Sequence, residues 1–297
     1  MIPNFLIVGA PKCGTTAMWR YLNQHPQIHL SQRKDLHFFG SDLQFVKRNR
    51  FSKEEYLAHF EHQNQIAIGE ASVWYLYSTK AAQEIFDYNP NMKIIIMLRD
   101  PVHMTYAHYT QMKFNGLGDE DLLTFEEALE AESDRKQGKN IPKHCPLVCT
   151  LFYREIAKLG SQVQRYLDVF PKEQVLCLFQ EDMKHQMPDV YKETLDFLEV
   201  DNQFVPDFSK VNAHKEVRFE LIRKVIGKTP RRIKNKIPQK PRLILSKAIR
   251  KYNSKHVERK QLLPETEIIL RQELDDEIQM LATICNRNLD HWRQNIQ

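Results

Sequence analysis

The sequence predicts an α/β fold in which a central parallel sheet lies between helical layers, a three-layer α/β/α arrangement. Short apolar runs alternate with longer segments of helical periodicity, which is typical of βαβ units. One run, Lys-Ile-Ile-Ile-Met-Leu at 93–98, is nearly all apolar, as expected of a strand buried on both faces. The predicted strands cover 4–9, 66–70, 93–98 and 174–179. The predicted helices cover 15–24, 53–60, 81–89, 101–115, 124–135, 152–170, 187–198 and 264–285.

The first strand runs directly into Pro11-Lys12-Cys13-Gly14-Thr15-Thr16, which has the form of a phosphate-binding loop. Gly9 and Gly14 keep the glycine spacing of a nucleoside triphosphatase loop, but Thr15 occupies the position of the usual lysine. Such a loop aims backbone N–H groups and a helix N-terminus at an anion. We therefore predict a P-loop-type fold that binds a nucleotide whose terminal group is not a γ-phosphate. An ordinary strand-to-helix turn is the alternative.

The net charge of +5 conceals a strongly basic block near the C-terminus. From Lys215 to Lys260 there are 17 Lys/Arg residues and three acidic ones. Such a block indicates an anionic partner, which would be the cofactor, an acidic substrate or an anionic membrane surface; solvated helix faces are the alternative. Because the block has few aromatic side chains to stack on bases, no nucleic acid is expected. We expect segment 209–262 to be a basic, helical, lid-like part of a single domain that spans 1–297.

Cysteine usage and hydropathy limit the class of protein further. The five cysteines are odd in number and fit no zinc-binding spacing, so reduced thiols and no metal site are expected. No apolar run approaches the length of a membrane span, and the N-terminus does not have the pattern of a signal peptide. These features predict a soluble, cytoplasmic protein, and nothing in the sequence indicates its oligomeric state.

Three further polar clusters follow predicted elements at positions where the chain returns toward the loop. Lys34-Asp35-Leu36-His37-Phe38-Phe39 can place Asp35 or His37 beside a bound anion, or can be a surface turn. Arg99-Asp100-Pro101 follows strand 93–98, where open sheets bind ligands, and a guanidinium suits a phosphate. An Arg–Asp ion pair at the helix start is the alternative. In Gly69-Glu70-Ala71-Ser72, the carboxylate is structural, a partner of Lys12 or a substrate contact.

In their order along the chain, these motifs resemble those of the sulfotransferase family, whose members use 3′-phosphoadenosine-5′-phosphosulfate (PAPS). The bacterial members and the heparan sulfate N- and 3-O-sulfotransferases are the most similar groups. The loop at 11–16, the cluster at 34–39 and Met-Leu-Arg-Asp-Pro at 97–101 carry the resemblance. Segments 69–72, 151–155, 164–171 and 287–292 also match. The resemblance covers nearly the whole chain and is weakest from about 209 to 262.

The resemblance implies a role for each matching residue. The 5′-phosphosulfate loop would consist of Pro11, Lys12, Cys13, Gly14, Thr15 and Thr16. Lys12 would contact the bridging oxygen and the sulfonate, and Arg99 would bind the 3′-phosphate. Asp35 stands where heparan-type members carry a catalytic glutamate, and His37 is the second candidate for the base.

The chain departs from the family pattern at three positions. Asp35 is one methylene shorter than glutamate. Ala107 stands where the family has a serine that binds the 3′-phosphate, and Met104 stands where an arginine is common. Part of the basic block, for example Arg218, is a candidate for the missing phosphate contact.

The implied reaction moves the sulfonate of PAPS in line to a hydroxyl, in preference to an amine, of a glycan, glycolipid or small-metabolite acceptor. A carboxylate would act as base, and no metal is required. One alternative is a P-loop nucleotide kinase, which Thr15 in the lysine position disfavours. The other is an inactive sulfotransferase-like protein that binds anions. Met104 and Ala107 favour that alternative, whereas Lys12, Asp35 and Arg99 argue against it.

Overall fold

The computed structural model describes residues 2–46, 50–61, 65–115, 119–143, 145–209, 215–217, 254–256 and 261–293. Five parallel strands form the central sheet, in the order β2-β3-β1-β4-β5. The strands are β1 (Phe5–Gly9), β2 (Ile28–Leu30), β3 (Ala67–Ala71), β4 (Lys93–Leu98) and β5 (Val175–Phe179). This parallel sheet with flanking helices confirms the predicted fold class.

Every residue of β1 and β3 is buried, and so is every residue of β4 except Lys93. The central strands are therefore covered on both faces of the sheet, as in other parallel sheets. The described helices are α1 (Thr15–Leu22), α2 (Lys53–Leu57), α3 (Ala81–Tyr88), α4 (Pro101–Asn115), α5 (Phe125–Glu130), α6 (Glu132–Lys136), α7 (Tyr153–Ala157), α8 (Leu159–Leu167), α9 (Gln180–His185), α10 (Met187–Leu198), α11 (Pro264–Glu273), α12 (Asp275–Cys285) and α13 (Asp290–Arg293). Short 3-10 helices cover Ala58–Phe60, Val148–Leu151 and Lys172–Gln174.

Three predicted helices are each divided into two, so their prediction as continuous helices over 124–135, 152–170 and 264–285 is wrong. The breaks fall at Ala131, Lys158 and Leu274. At Lys158, the side-chain amide of Gln162 donates to two carbonyls of the preceding helix, at 3.0 and 3.2 Å. This side chain therefore satisfies carbonyl groups that the end of the helix leaves without backbone partners. A break of this kind depends on a side-chain hydrogen bond, so the spacing of apolar residues in the sequence does not show it.

The C-terminal helices brace the elements that carry the candidate site. A Cβ atom on Gly160 would lie 2.5 Å from the Glu277 carbonyl oxygen, so glycine permits the close approach of α8 and α12. The Arg271 guanidinium on α11 donates to the Asp100 carboxylate at the start of α4, at 3.1 Å. The end of the chain thereby fixes the helix that follows β4.

Two short strands, β6 (Lys215–Val217) and β7 (Ser254–His256), pair antiparallel within the basic block. The rest of the predicted lid at 209–262, including Arg218, lies outside the described residues, apart from residues 209, 261 and 262. Within the described ranges, no helix is long and apolar enough to cross a membrane.

Candidate active site

The phosphate-binding loop connects β1 to α1 and lies at the carboxyl edge of the sheet. Gly14 precedes the first turn of α1 with φ of 93°, a left-handed conformation that glycine adopts without strain. Lys12 also has positive φ, at 64°, which is uncommon for a residue with a side chain. Five of the six predicted loop residues line a cavity of about 590 Å³: Pro11, Lys12, Gly14, Thr15 and Thr16.

The remaining loop residue, Cys13, is fully buried beneath the loop and does not line the cavity. Burial raises the pKa of its thiol to about 12, so the thiol is protonated at neutral pH. Its role in the structure is packing, and any contact that it makes with a ligand would come from its backbone.

Two lysine ammonium groups lie at the loop, one from the loop itself and one from the segment that follows β2. Lys12 Nζ donates to Gln111 Oε1 on α4 at 3.2 Å. Lys34 Nζ donates to the hydroxyl oxygens of Thr15 and Thr16, at 3.2 and 3.1 Å. Both lysines line the cavity, so the loop carries a high density of positive charge.

A buried carboxylate fixes the predicted cluster at 34–39 against the end of β3. Glu70 accepts hydrogen bonds from Ser72 Oγ at 2.7 Å and Tyr75 OH at 2.6 Å. The same Ser72 oxygen accepts the His37 N–H, and Tyr75 OH accepts the N–H of Phe38 at 2.8 Å and that of Phe39 at 3.3 Å. Of the three roles proposed from sequence, Glu70 therefore has the structural one.

Asp35 and His37 point in different directions from this cluster. Asp35 lines the cavity, its N–H donates to the Ala71 carbonyl at 2.8 Å, and its φ is 59°. His37 does not line the cavity; the residue is 7% exposed, and the centroid of its ring lies 4.6 Å from that of the Phe45 ring. The Asp35 carboxylate therefore shares the cavity with the phosphate-binding loop, whereas the His37 imidazole is buried outside the cavity lining.

Arg99 follows β4 directly, lines the cavity and is half-buried. Among the described residues, its guanidinium makes no hydrogen bond or ion pair. The neighbouring Asp100 carboxylate instead contacts His103 Nδ1 at 2.9 Å and Arg271, and it accepts the Val102 N–H at 2.9 Å to cap α4. The predicted alternative of an Arg99–Asp100 ion pair is therefore wrong, and the guanidinium faces the cavity without it.

Ala107, the residue at the position of the family serine, is fully buried and does not line the cavity. Nearby Thr105 is 1% exposed and its hydroxyl donates back to the carbonyls of Pro101 and Val102, at 3.0 Å each. Neither residue of α4 offers a side-chain hydroxyl to a ligand.

Two polar residues near Arg99, one of which lines the cavity, were not assigned roles from sequence. Gln180 lines the cavity immediately after β5, and the Leu98–Phe179 register pair places it beside Arg99. Lys184 follows one turn later on α9; burial lowers the pKa of its ammonium, and repulsion from Arg99 lowers it further. The position of Gln180 after a strand could have indicated it, as it did for Arg99, whereas nothing in the sequence indicates Lys184.

His108 and Gln111 of α4 also line the cavity. His108 Nε2 donates to the Thr150 carbonyl at 2.8 Å, and burial lowers the pKa of the imidazole to about 4. The imidazole is therefore neutral at neutral pH.

The cavity thus holds at least three cations, Lys12, Lys34 and Arg99, together with the Asp35 and Asp119 carboxylates and a helix N-terminus. Its size is that of a small-molecule site. Such a set of groups can bind a ligand with two anionic ends and take a proton beside it.

Comparison with known proteins defines the class to which this site belongs. The model of the sulfotransferase domain matches residues 3–224, so the chain belongs to the sulfotransferase domain family. This confirms the family recognised in the sequence.

Individual relatives are both bacterial and eukaryotic. The crystal structure of a sulfotransferase from Alicyclobacillus acidocaldarius superposes with a TM-score of 0.75 and 27% identity, covering 99% of this chain and 100% of that chain. Bifunctional heparan sulfate N-deacetylase/N-sulfotransferase 3 of Homo sapiens is 27% identical over 67% of this chain and 22% of its own length. Membrane-associated sulfotransferase kil1 of Dictyostelium discoideum is 37% identical over 36% of this chain and 22% of its own length. The matches with these two curated relatives span less than a quarter of the relatives' lengths.

Proposed function

We propose that the protein transfers the sulfonate group of PAPS to a hydroxyl group of a glycan-type acceptor. The observation that carries the proposal is the shared cavity. Lys12, Thr15 and Arg99 line it on the side of the phosphate-binding loop, and Asp35 lines it from the loop that follows α1. Cations for an anionic donor and a carboxylate for the acceptor proton therefore face one space. The relative that acts on heparan sulfate supports a glycan as acceptor.

The charged residues of the cavity fit a donor with two anionic ends. Lys12 and Lys34 lie at the phosphate-binding loop, where the 5′-phosphosulfate would bind. Arg99 lies at the end of β4, near Lys184, where a 3′-phosphate would meet a guanidinium that has no ion pair among the described residues. When bound, PAPS supplies the sulfonate.

Asp35 is proposed as the general base. In the transfer step, the acceptor oxygen bonds to sulfur while its proton passes to the Asp35 carboxylate, and the leaving phosphate oxygen keeps the electron pair of the broken bond. Lys12 and the backbone N–H groups of the loop would stabilise the charge that develops on this oxygen. His37 is the weaker candidate because its ring lies outside the cavity lining.

Calorimetry with 3′-phosphoadenosine-5′-phosphate (PAP), the desulfated donor, tests the proposal, with Mg-ATP as control. Tight binding of PAP without added metal is the expected result. Binding of Mg-ATP but not PAP would favour the nucleotide kinase, and binding of neither would favour the inactive anion-binding protein. Transfer of radioactive sulfonate from PAPS to desulfated heparan sulfate, a glycolipid and a small hydroxylated metabolite then distinguishes the acceptor classes.

Three other expectations stay predictions: that 1–297 is a single domain, that the basic block contacts an anionic membrane surface, and that the protein is cytoplasmic.

A further inference from the structure

Lys34 places an ammonium group against the two threonines at the start of α1. In a nucleoside triphosphatase loop a lysine would stand at the position of Thr15. Here Lys34, from the loop after β2, donates to Thr15 Oγ1 at 3.2 Å and Thr16 Oγ1 at 3.1 Å. A lysine from another part of the chain thus contacts both hydroxyls at the start of α1.

The Lys34 ammonium makes no direct ion pair in the described part of the chain, although the nearby Asp35 carboxylate favours its charged form. Its ammonium contacts hydroxyl oxygens and forms no ion pair with a described carboxylate. Lys34 is half-buried and lines the cavity, and burial lowers the pKa of its ammonium. Because a partly buried charge is costly unless it is paired, this arrangement suits an anion that binds beside the two threonines.

We infer that Lys34 is a second cation of the donor site, in addition to Lys12. The inference rests on the proposed function. With the donor bound, the hydroxyls of Thr15 and Thr16 and the Lys34 ammonium would all face the 5′-phosphate. As the acceptor oxygen bonds to sulfur, the bond from sulfur to the bridging oxygen breaks and its electron pair stays on that phosphate. Lys34 then stabilises the added negative charge together with Lys12.

The test compares variants of Lys34 with a matched variant of its neighbour. Lys34→Met keeps most of the side-chain volume and removes the charge, and Lys34→Arg keeps the charge. Arg33→Met removes one positive charge from an adjacent, exposed position and is the control for net charge. Thermal unfolding of each variant is recorded first, and Lys34→Gln replaces Lys34→Met if the latter does not fold.

Two ligands are titrated by calorimetry: PAP, and adenosine 3′-phosphate, which lacks the 5′-phosphate. We expect Lys34→Met to weaken PAP binding by about tenfold, as for loss of a charge-assisted hydrogen bond, and to leave adenosine 3′-phosphate binding unchanged. We expect Lys34→Arg to recover most of the affinity and Arg33→Met to bind both ligands like the wild type.

Unchanged PAP affinity in Lys34→Met would overturn the inference and leave the proposed function standing. Equal losses for both ligands would also overturn it, because they would show that Lys34 only maintains the shape of the loop. Failure of the wild type to bind PAP would overturn the proposed function itself.

Discussion

Replacement of Tyr75 by phenylalanine tests whether the end of β3 holds the loop that carries Asp35. The Tyr75 hydroxyl is at the centre of three hydrogen bonds. It donates to the buried Glu70 carboxylate at 2.6 Å and accepts the backbone N–H groups of Phe38 and Phe39, at 2.8 and 3.3 Å. The substitution removes this one oxygen atom and leaves the ring in place.

The expected loss of stability in Tyr75→Phe follows from the groups that lose their hydrogen-bond partner. A hydrogen bond to a charged group contributes about 1.5–3 kcal/mol, and an unsatisfied buried N–H costs about 1–3 kcal/mol. Glu70 retains its bond from Ser72, and the loop can relax, so the full sum is not expected. We expect the free energy of unfolding to fall by about 2–4 kcal/mol and the melting temperature by roughly 3–6 °C.

Tyr88→Phe is the matched control for this variant. Tyr88 belongs to the same aromatic cluster, with its ring 5.3 Å from that of Phe39, but its buried hydroxyl has no hydrogen-bond partner among the described residues. Urea unfolding of both variants, followed by tryptophan fluorescence, should show a large loss for Tyr75→Phe and little change for Tyr88→Phe. Equal stabilities would refute the assignment of Tyr75 as the support of this loop.

Four further predictions concern the reaction, the pH dependence of stability and donor binding. Lys12→Ala should abolish sulfonate transfer while circular dichroism stays unchanged. Asp35→Asn should lower kcat about 10²–10⁴-fold and change PAP affinity little in calorimetry, and the same effect from His37→Ala instead would reassign the base. Burial raises the pKa of Glu70 from its ordinary 4.5 to about 7; the folded state then binds the proton more tightly, so stability should fall as pH rises from 4.5 to 7, and Glu70→Gln should flatten that part of the stability–pH curve. Lys184→Ala should weaken PAP binding a few-fold and reduce its dependence on salt, whereas an unchanged salt dependence would exclude Lys184 from the donor site.

The sequence predicts the central parts of the fold because strong patterns mark them. The apolar run of β4 and the helix from Pro101 to Asn115 are where they were predicted, since burial on both faces and proline at the first helical position leave clear signals. Strand β2 was missed because its three residues, Ile28–Leu30, are too few to show a period. A short strand at the sheet edge is defined by its pairing with β3, which a single sequence does not display.

The candidate site could be predicted where it depends on order along the chain. Lys12, Asp35 and Arg99 follow predicted elements in motifs with a recognised spacing, and all three line one cavity. Lys34 and Lys184 gain their positions from tertiary packing, through hydrogen bonds to Thr15 and Thr16 in one case and through proximity to Arg99 in the other. Neither contact has a signature in sequence spacing.

Backbone conformation links the buried Glu70 network to the site. Lys12, Asp35 and His37 have positive φ values of 64°, 59° and 53°. Such conformations cost free energy in residues with side chains and persist only where surrounding contacts enforce them. For the loop of Asp35 and His37, those contacts run through the hydroxyls of Ser72 and Tyr75 to Glu70, and the hydrogen bonds to Glu70 offset only part of the cost of burying its carboxylate. The orientation of Asp35 is therefore determined mainly by the end of β3, and substitutions at Tyr75 should affect catalysis although its side chain does not line the cavity.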